Sequence, residues 1–137
     1  MGAGDIRLRR TDWEVLASHL TACWPEEGCG LLAGTGEQVR KVLPVENELH
    51  SRTRYRMEPR ALVAALHRIE AEGMEMLAAF HSHPAGPDGV SATDQDEWAY
   101  PGAALVVCTR AAAGWSGRAY RIEHGNLREV LFVLEDQ

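Results

Sequence analysis

The chain has 137 residues, 45% of them hydrophobic, and a formal net charge of -6. That is one domain's length, with room for a core that buries roughly two-thirds of the unfolded surface, and it is too apolar for disorder. The acidic balance excludes broad, non-specific binding to nucleic acid or to an anionic membrane, since both need clustered Lys and Arg.

In chain order, Met1 to Arg10 is polar and charged, without the apolar core of a signal peptide. No later apolar run is long enough to span a bilayer, so a cytoplasmic location is expected. Thr11 to Cys23 reads as a helix: Thr11 and Glu14 form a capping box, and Trp13, Leu16, Leu20 and Cys23 recur at helical spacing. Trp24-Pro25 ends it. Glu27 to Ala33 is a short apolar run expected to be a buried strand. Gly34-Thr35-Gly36 turns into a second strand, Gln38 to Asn47, where Pro44 suggests an edge or a bulge. Thr53 to Met57 reads as a short strand whose solvated face carries Arg52, Arg54 and Arg56.

Pro59 opens a helix to Glu72, with Leu62, Leu66 and Ile69 inward and Gly73 as its stop. Met74 to His81 is a strand, Pro84 to Val90 a loop, and Ser91 starts a helix through Tyr100. Strands follow at Ala103 to Thr109, Trp115 to Ile122 and Leu127 to Leu134. The pattern is α/β, with helices packed against one sheet.

The informative stretch is His81-Ser82-His83-Pro84 followed, after a short loop, by Ser91-Ala92-Thr93-Asp94. Histidines at i and i+2 on a strand share a face, so their rings can converge on one ion. Pro84 ends the strand and places both rings at the sheet rim, within reach of solvent and substrate. Ser91 is a natural N-cap, which puts Asp94 in the first helical turn, facing back toward the strand end. Two imidazoles and one carboxylate make the three-ligand set of catalytic zinc, although mixed nitrogen and oxygen ligation also suits other divalent metals. Ser82 points to the opposite face and reads as structural. His19, His50, His67 and His124 lack partners at ligand spacing, and Trp98 and Tyr100 are candidates for a groove wall or for packing.

These residues resemble the signature of the JAMM (MPN+) metalloproteases. Pro25-Glu26-Glu27-Gly28-Cys29-Gly30 matches the setting of the family's upstream glutamate and selects Glu27 over Glu26. Val90 departs from the pattern, standing where bacterial members often carry proline. The resemblance runs from about Arg7 to Leu134 and is nearest to the compact prokaryotic members. It implies a single mixed, mostly antiparallel curved sheet flanked by helices, of cytidine-deaminase-like kind, and a Zn2+ ion held by His81, His83 and Asp94. It also implies hydrolysis of a peptide or isopeptide bond beside the C-terminus of a ubiquitin-like or sulfur-carrier protein. Glu27 would serve as the base, and Ser91 would donate to the oxyanion.

Three other readings compete. A cysteine peptidase would need a base beside Cys29, and none is visible; Cys23, Cys29 and Cys108 each read as buried small hydrophobes. A zinc nucleobase deaminase would need His-x-Glu and Pro-Cys-x-x-Cys, which are absent. A non-catalytic binding module and a small-molecule amidohydrolase remain open, and the intact ligand set favours an enzyme.

Overall fold

The computed structural model describes residues 4–136. Ile6 and Leu8 are fully buried and alternate with Arg7 and Arg9 in strand β1 (Ile6–Arg9). The chain passes straight from β1 into helix α1 (Arg10–Cys23). The helix therefore starts ahead of Thr11, and the expected Thr11–Glu14 capping box does not form. Its N-cap is Arg9, with no side-chain cap bond, and the first turn is held by an Arg9–Asp12 ion pair at 2.7 Å. Trp13, Leu16 and Leu20 bury the inner face as their spacing requires.

Strands β2 (Cys29–Thr35) and β3 (Gln38–Val45) form the expected hairpin. The bulge falls between Ala33 and Gly34 rather than at Pro44. Pro44 sits on an open edge instead, because β1 meets β3 only at Arg7↔Gln38. Thr53 to Met57 is not a strand: only Met57 pairs, in an isolated bridge to Asn47.

Helix α2 (Pro59–Ala71) is capped by Glu58, whose carboxylate accepts from the N–H groups of Arg60 and Ala61. Its buried residues are Ala65 and Ile69, with Ala61 and Leu62 packed beside them, while Leu66 is exposed. The inner stripe follows the i, i+4 series through Ala65 and so lies one position away from the expected one. Strand β4 (Glu75–His83) runs two residues further than expected, and helix α3 (Ala92–Asp96) stops four short of Tyr100. Pro101 disfavours helical geometry just before it.

Strands β5 (Ala104–Ala111) and β6 (Gly114–Glu123) lie close to their expected positions. The last expected strand divides at Leu131 into β7 (Asn126–Val130) and β8 (Phe132–Glu135). The sheet order is β7-β6-β5-β4-β2-β3-β1-β8. Its β1–β3, β1–β8 and β4–β5 pairs are parallel and its other four are antiparallel. Although β7 and β8 are opposite ends of this order, only Leu131 separates them in the chain, so the sheet must curl until its ends meet. The Leu131 N–H donates to Asp5 Oδ1 at 3.1 Å and its carbonyl accepts from Ile6 N at 3.0 Å, which pins that meeting point.

One face of the sheet packs Leu32, Phe80, Val106 and Cys108 with α1; the other packs Leu31, Leu43 and Ala79 with α2. Among the described residues, no helix is long and apolar enough to cross a membrane.

Close packing leaves no room at Gly30, where an added Cβ would stand 2.5 Å from both the Phe80 ring and the Leu43 carbonyl oxygen. Gly30→Ala is expected to destabilise the protein by about 1–3 kcal/mol. Urea unfolding measures this, and an unchanged midpoint would contradict the packing of Phe80 over the β2 backbone.

Candidate metal centre

Period-two alternation along β4 sends Ala78, Phe80 and Ser82 toward α1, and Ala79, His81 and His83 toward α2. β4 is flanked by β2 and β5, so the histidines stand at the end of an interior strand. The expected rim position holds along the strand but not in exposure: His81 is fully buried and His83 is 4% exposed. Tyr55 covers His81, with ring centroids 4.4 Å apart and planes 22° apart.

The two Nε2 atoms face each other at 3.1 Å. Asp94 Oδ1 lies 2.9 Å from His81 Nε2, and Oδ2 lies 3.1 Å from His83 Nε2. The start of α3 holds that carboxylate in place. Ser91 Oγ accepts from the Asp94 N–H at 3.1 Å, and Asp94 Oδ2 accepts from the Ser91 N–H at 2.9 Å, a reciprocal capping box. His83 Nδ1 meets the Pro87 carbonyl at 2.9 Å. A carbonyl only accepts, so Nδ1 carries the proton and the neutral ring presents its lone pair at Nε2. His81 Nδ1 is buried with no hydrogen-bond partner among the described residues.

Electrostatics follow from this geometry. Burial pushes the His81 pKa down. Burial is the largest influence on His83 and opposes its charge, but donation to Asp94 and to the Pro87 carbonyl, with the nearby carboxylates, together outweigh it and raise its pKa. Burial alone would raise Asp94; the hydrogen bonds from His81 and His83 reverse that and hold its carboxyl well below the ordinary range. The donor set fits a divalent cation. Ligand atoms bound at about 2.0–2.1 Å in a tetrahedron stand roughly 3.3 Å apart, close to the spacing these three side chains already have. They form the group of His81, His83 and Asp94 able to hold a metal.

Glu27 reaches the same place from the junction of α1 and β2. It is 4% exposed and lines a cleft of about 280 Å³ with His83, Ser91 and Asp94. Burial is the main cause that pushes its pKa up to about 7; Asp94 adds to the shift and His83 opposes it. Glu26, next to it, lies at the surface and pairs with His50 at 3.2 Å. Ser82, between the histidines, keeps a structural task. Its Oγ accepts from the Gly28 N–H at 2.9 Å and its own N–H donates to the Gly28 carbonyl at 3.0 Å. That bond pair ties the Glu27 segment to the histidine strand.

A second cleft, of about 300 Å³, adjoins the first at Tyr55 and Asp94 and is walled by Leu49, Met57, Ala99 and Tyr100. The exposed Arg54–Glu97 ion pair, at 2.7 Å, borders both. Tyr100 is thus a wall, whereas Trp98 packs into the core beyond the end of α3. Cys29 is buried, its thiol donates to the Val45 carbonyl at 3.3 Å, and burial pushes its pKa up to about 12. Such a thiol supplies no thiolate nucleophile near neutrality.

The sequence reading did not single out Tyr55, Pro87 or Asn47 for the site. Tyr55 lay in a segment read as a strand, and Pro87 acts through a backbone carbonyl that carries no side-chain signal. Asn47 stood at the end of an expected strand, where a turn-forming amide is the one available cue.

The family model of prokaryotic homologs of the JAB domain matches residues 11–123. A relative from Thermus thermophilus described as a "probable TtuB-protein conjugate cleaving protease" is 43% identical over 91 residues, covering 64% of this chain and 61% of that one. A desampylase from Haloferax volcanii is 33% identical over 104 residues, covering 71% of this chain and 75% of that one. In three dimensions, the solution structure of a protein from Desulfitobacterium hafniense superposes with a TM-score of 0.86 at 28% identity, covering 96% of this chain and 94% of that one. The chain belongs to the prokaryotic branch of the JAB (JAMM/MPN) family, on its sequence, its curled mixed sheet and the convergence of His81, His83 and Asp94.

Proposed function

We propose that the protein is a zinc-dependent peptidase acting in the cytoplasm on the bond that follows the C-terminus of a ubiquitin-like or sulfur-carrier protein. The observation that carries this reading is the meeting of two Nε2 atoms and one carboxylate, within 3.1 Å of each other, on a cleft that also holds Glu27. The substrate class is supported by relatives whose names describe cleavage of TtuB-protein conjugates and desampylation.

His81, His83 and Asp94 would hold the zinc. When bound, it would polarise the scissile carbonyl and acidify water beside it. Glu27 takes a proton from the attacking water at a carboxylate oxygen, the water oxygen adds to the carbonyl carbon, and the carbonyl oxygen becomes the oxyanion. The C–N bond then breaks, and Glu27 returns the proton to the departing amine. Burial suits Glu27 to this exchange, because in the metal-free protein it raises the carboxyl above its ordinary range and so strengthens it as a proton acceptor. Ser91 Oγ already accepts from the Asp94 N–H, which leaves its own hydroxyl proton to donate to the developing oxyanion.

The direct test is cleavage of a ubiquitin-like sulfur carrier extended past its Gly-Gly end. The expected result is release of the extension, abolished by chelation and restored by zinc. Failure to cleave, or cleavage indifferent to the chelator, would contradict the proposal. Glu27→Gln should retain one zinc per chain while kcat falls by about 10²–10⁴-fold; turnover equal to wild type would remove Glu27 from the mechanism. Asp94→Ala should lose zinc as well as turnover, and elemental analysis showing full occupancy would contradict its place as a ligand.

A stability measurement separates Glu27 from the rest. In metal-free protein its folded pKa of about 7 lies above its ordinary 4.5. The protonated form therefore favours folding: the contribution is complete below the unfolded pKa and is lost as pH rises through the folded one. Gln carries no charge to bury. Metal-free Glu27→Gln should exceed metal-free wild type by about 1–3 kcal/mol near pH 8, and the gap should close near pH 4.5. Denaturant unfolding that gives one gap at both pH values would contradict the burial of an ionised Glu27.

A further inference from the structure

The segment between β3 and α2 is built around one buried side chain, Asn47. Its Nδ2 donates to the Glu27 carbonyl at 3.0 Å and to the Arg54 carbonyl at 3.1 Å. Its Oδ1 accepts from the N–H groups of Leu49 and Arg56, both at 3.1 Å. Two carbonyls on one side and two N–H groups on the other leave one amide orientation, with all four of its hydrogen-bonding positions filled. The segment returns to Glu27 a second time, because Ser51 O accepts from the Glu27 N–H at 2.8 Å. Both backbone polar groups of Glu27 thus end on this segment. The Arg54 and Arg56 bonds also fix the backbone on either side of Tyr55, the residue stacked on His81.

We infer that Asn47 is a positioning residue for the reaction: it sets the place of the Glu27 carboxylate relative to the His81–His83–Asp94 group and does not itself touch substrate. The inference rests on the peptidase reading for its kinetic consequence but not for its structural one. Asn47 Nδ2 is the donor to the Glu27 carbonyl, so removing it frees the peptide that follows the Glu27 side chain, and a displacement of about 1 Å at a catalytic group costs on the order of 100-fold in rate.

Asn47→Ala would strip all four bonds and endanger the fold, so Asn47→Asp is the informative variant. It keeps the acceptor for Leu49 and Arg56 and sets an oxygen against the Glu27 and Arg54 carbonyls. Amide hydrogen exchange is read at Glu27 and at core positions of β4. The expected result is faster exchange at Glu27 by about ten-fold or more, with the core of β4 unchanged. Kinetically, kcat should fall by about 100-fold with KM within about two-fold of wild type and zinc content retained. Unaltered exchange at Glu27 would overturn the inference. So would equal acceleration in the core of β4, which would reduce Asn47 to general support of the fold. Selective exchange in a protein whose wild type cleaves nothing would uphold the positioning and sink only the peptidase reading.

Discussion

Two buried imidazole nitrogens 3.1 Å apart, each with an oxygen of the same carboxylate within 3.1 Å, make a donor set that one divalent cation satisfies at once. The fold fixes that proximity from several sides. β4 is interior to the sheet and hydrogen-bonded on both edges, so the i, i+2 spacing of His81 and His83 is rigid. Tyr55 lies over one ring, and the Pro87 carbonyl fixes the tautomer of the other. Asp94 is clamped by its own capping box, and its two oxygens are divided between the two rings. A divalent cation matches the donor set of two Nε2 atoms and one carboxylate.

Around that point the structure draws the metal-ligand candidates and Glu27 from separate parts of the chain. The metal-binding candidates sit on one strand and one helix start. Glu27 arrives from another part of the chain and reaches the cleft with its backbone fixed by Ser51 and Asn47 and its neighbour Gly28 fixed by Ser82. Glu27 is thus buried while it still faces the cleft lined by His83, Ser91 and Asp94.

Much of this was legible in the sequence, for identifiable reasons. The His81-Ser82-His83 alternation and the Ser91–Asp94 cap are local, so their geometry follows from strand and helix periodicity alone. Glu27 could not be chosen that way and needed its flanking residues. Several elements were misread where local propensity met tertiary constraint. β1 hid in a short alternation, Ile6-Arg7-Leu8-Arg9, too brief to stand out. The Leu127–Leu134 strand broke at Leu131 because the curled sheet draws its two halves to opposite edges. Leu66 fitted a helical stripe, but the packed face runs through Ala65. Thr53 to Met57 alternates as a strand does, yet Asn47 gathers its backbone into a loop, a contact between residues that no period of two encodes.

The central claim is that His81, His83 and Asp94 close around one zinc ion. X-ray absorption at the zinc edge of the reconstituted protein tests it most directly. The account predicts a four-coordinate first shell of nitrogen and oxygen only, at about 2.0–2.1 Å, carrying the scattering signature of two imidazoles. A shell containing sulfur, which would implicate Cys23 or Cys29, or a shell with a single imidazole, would contradict it.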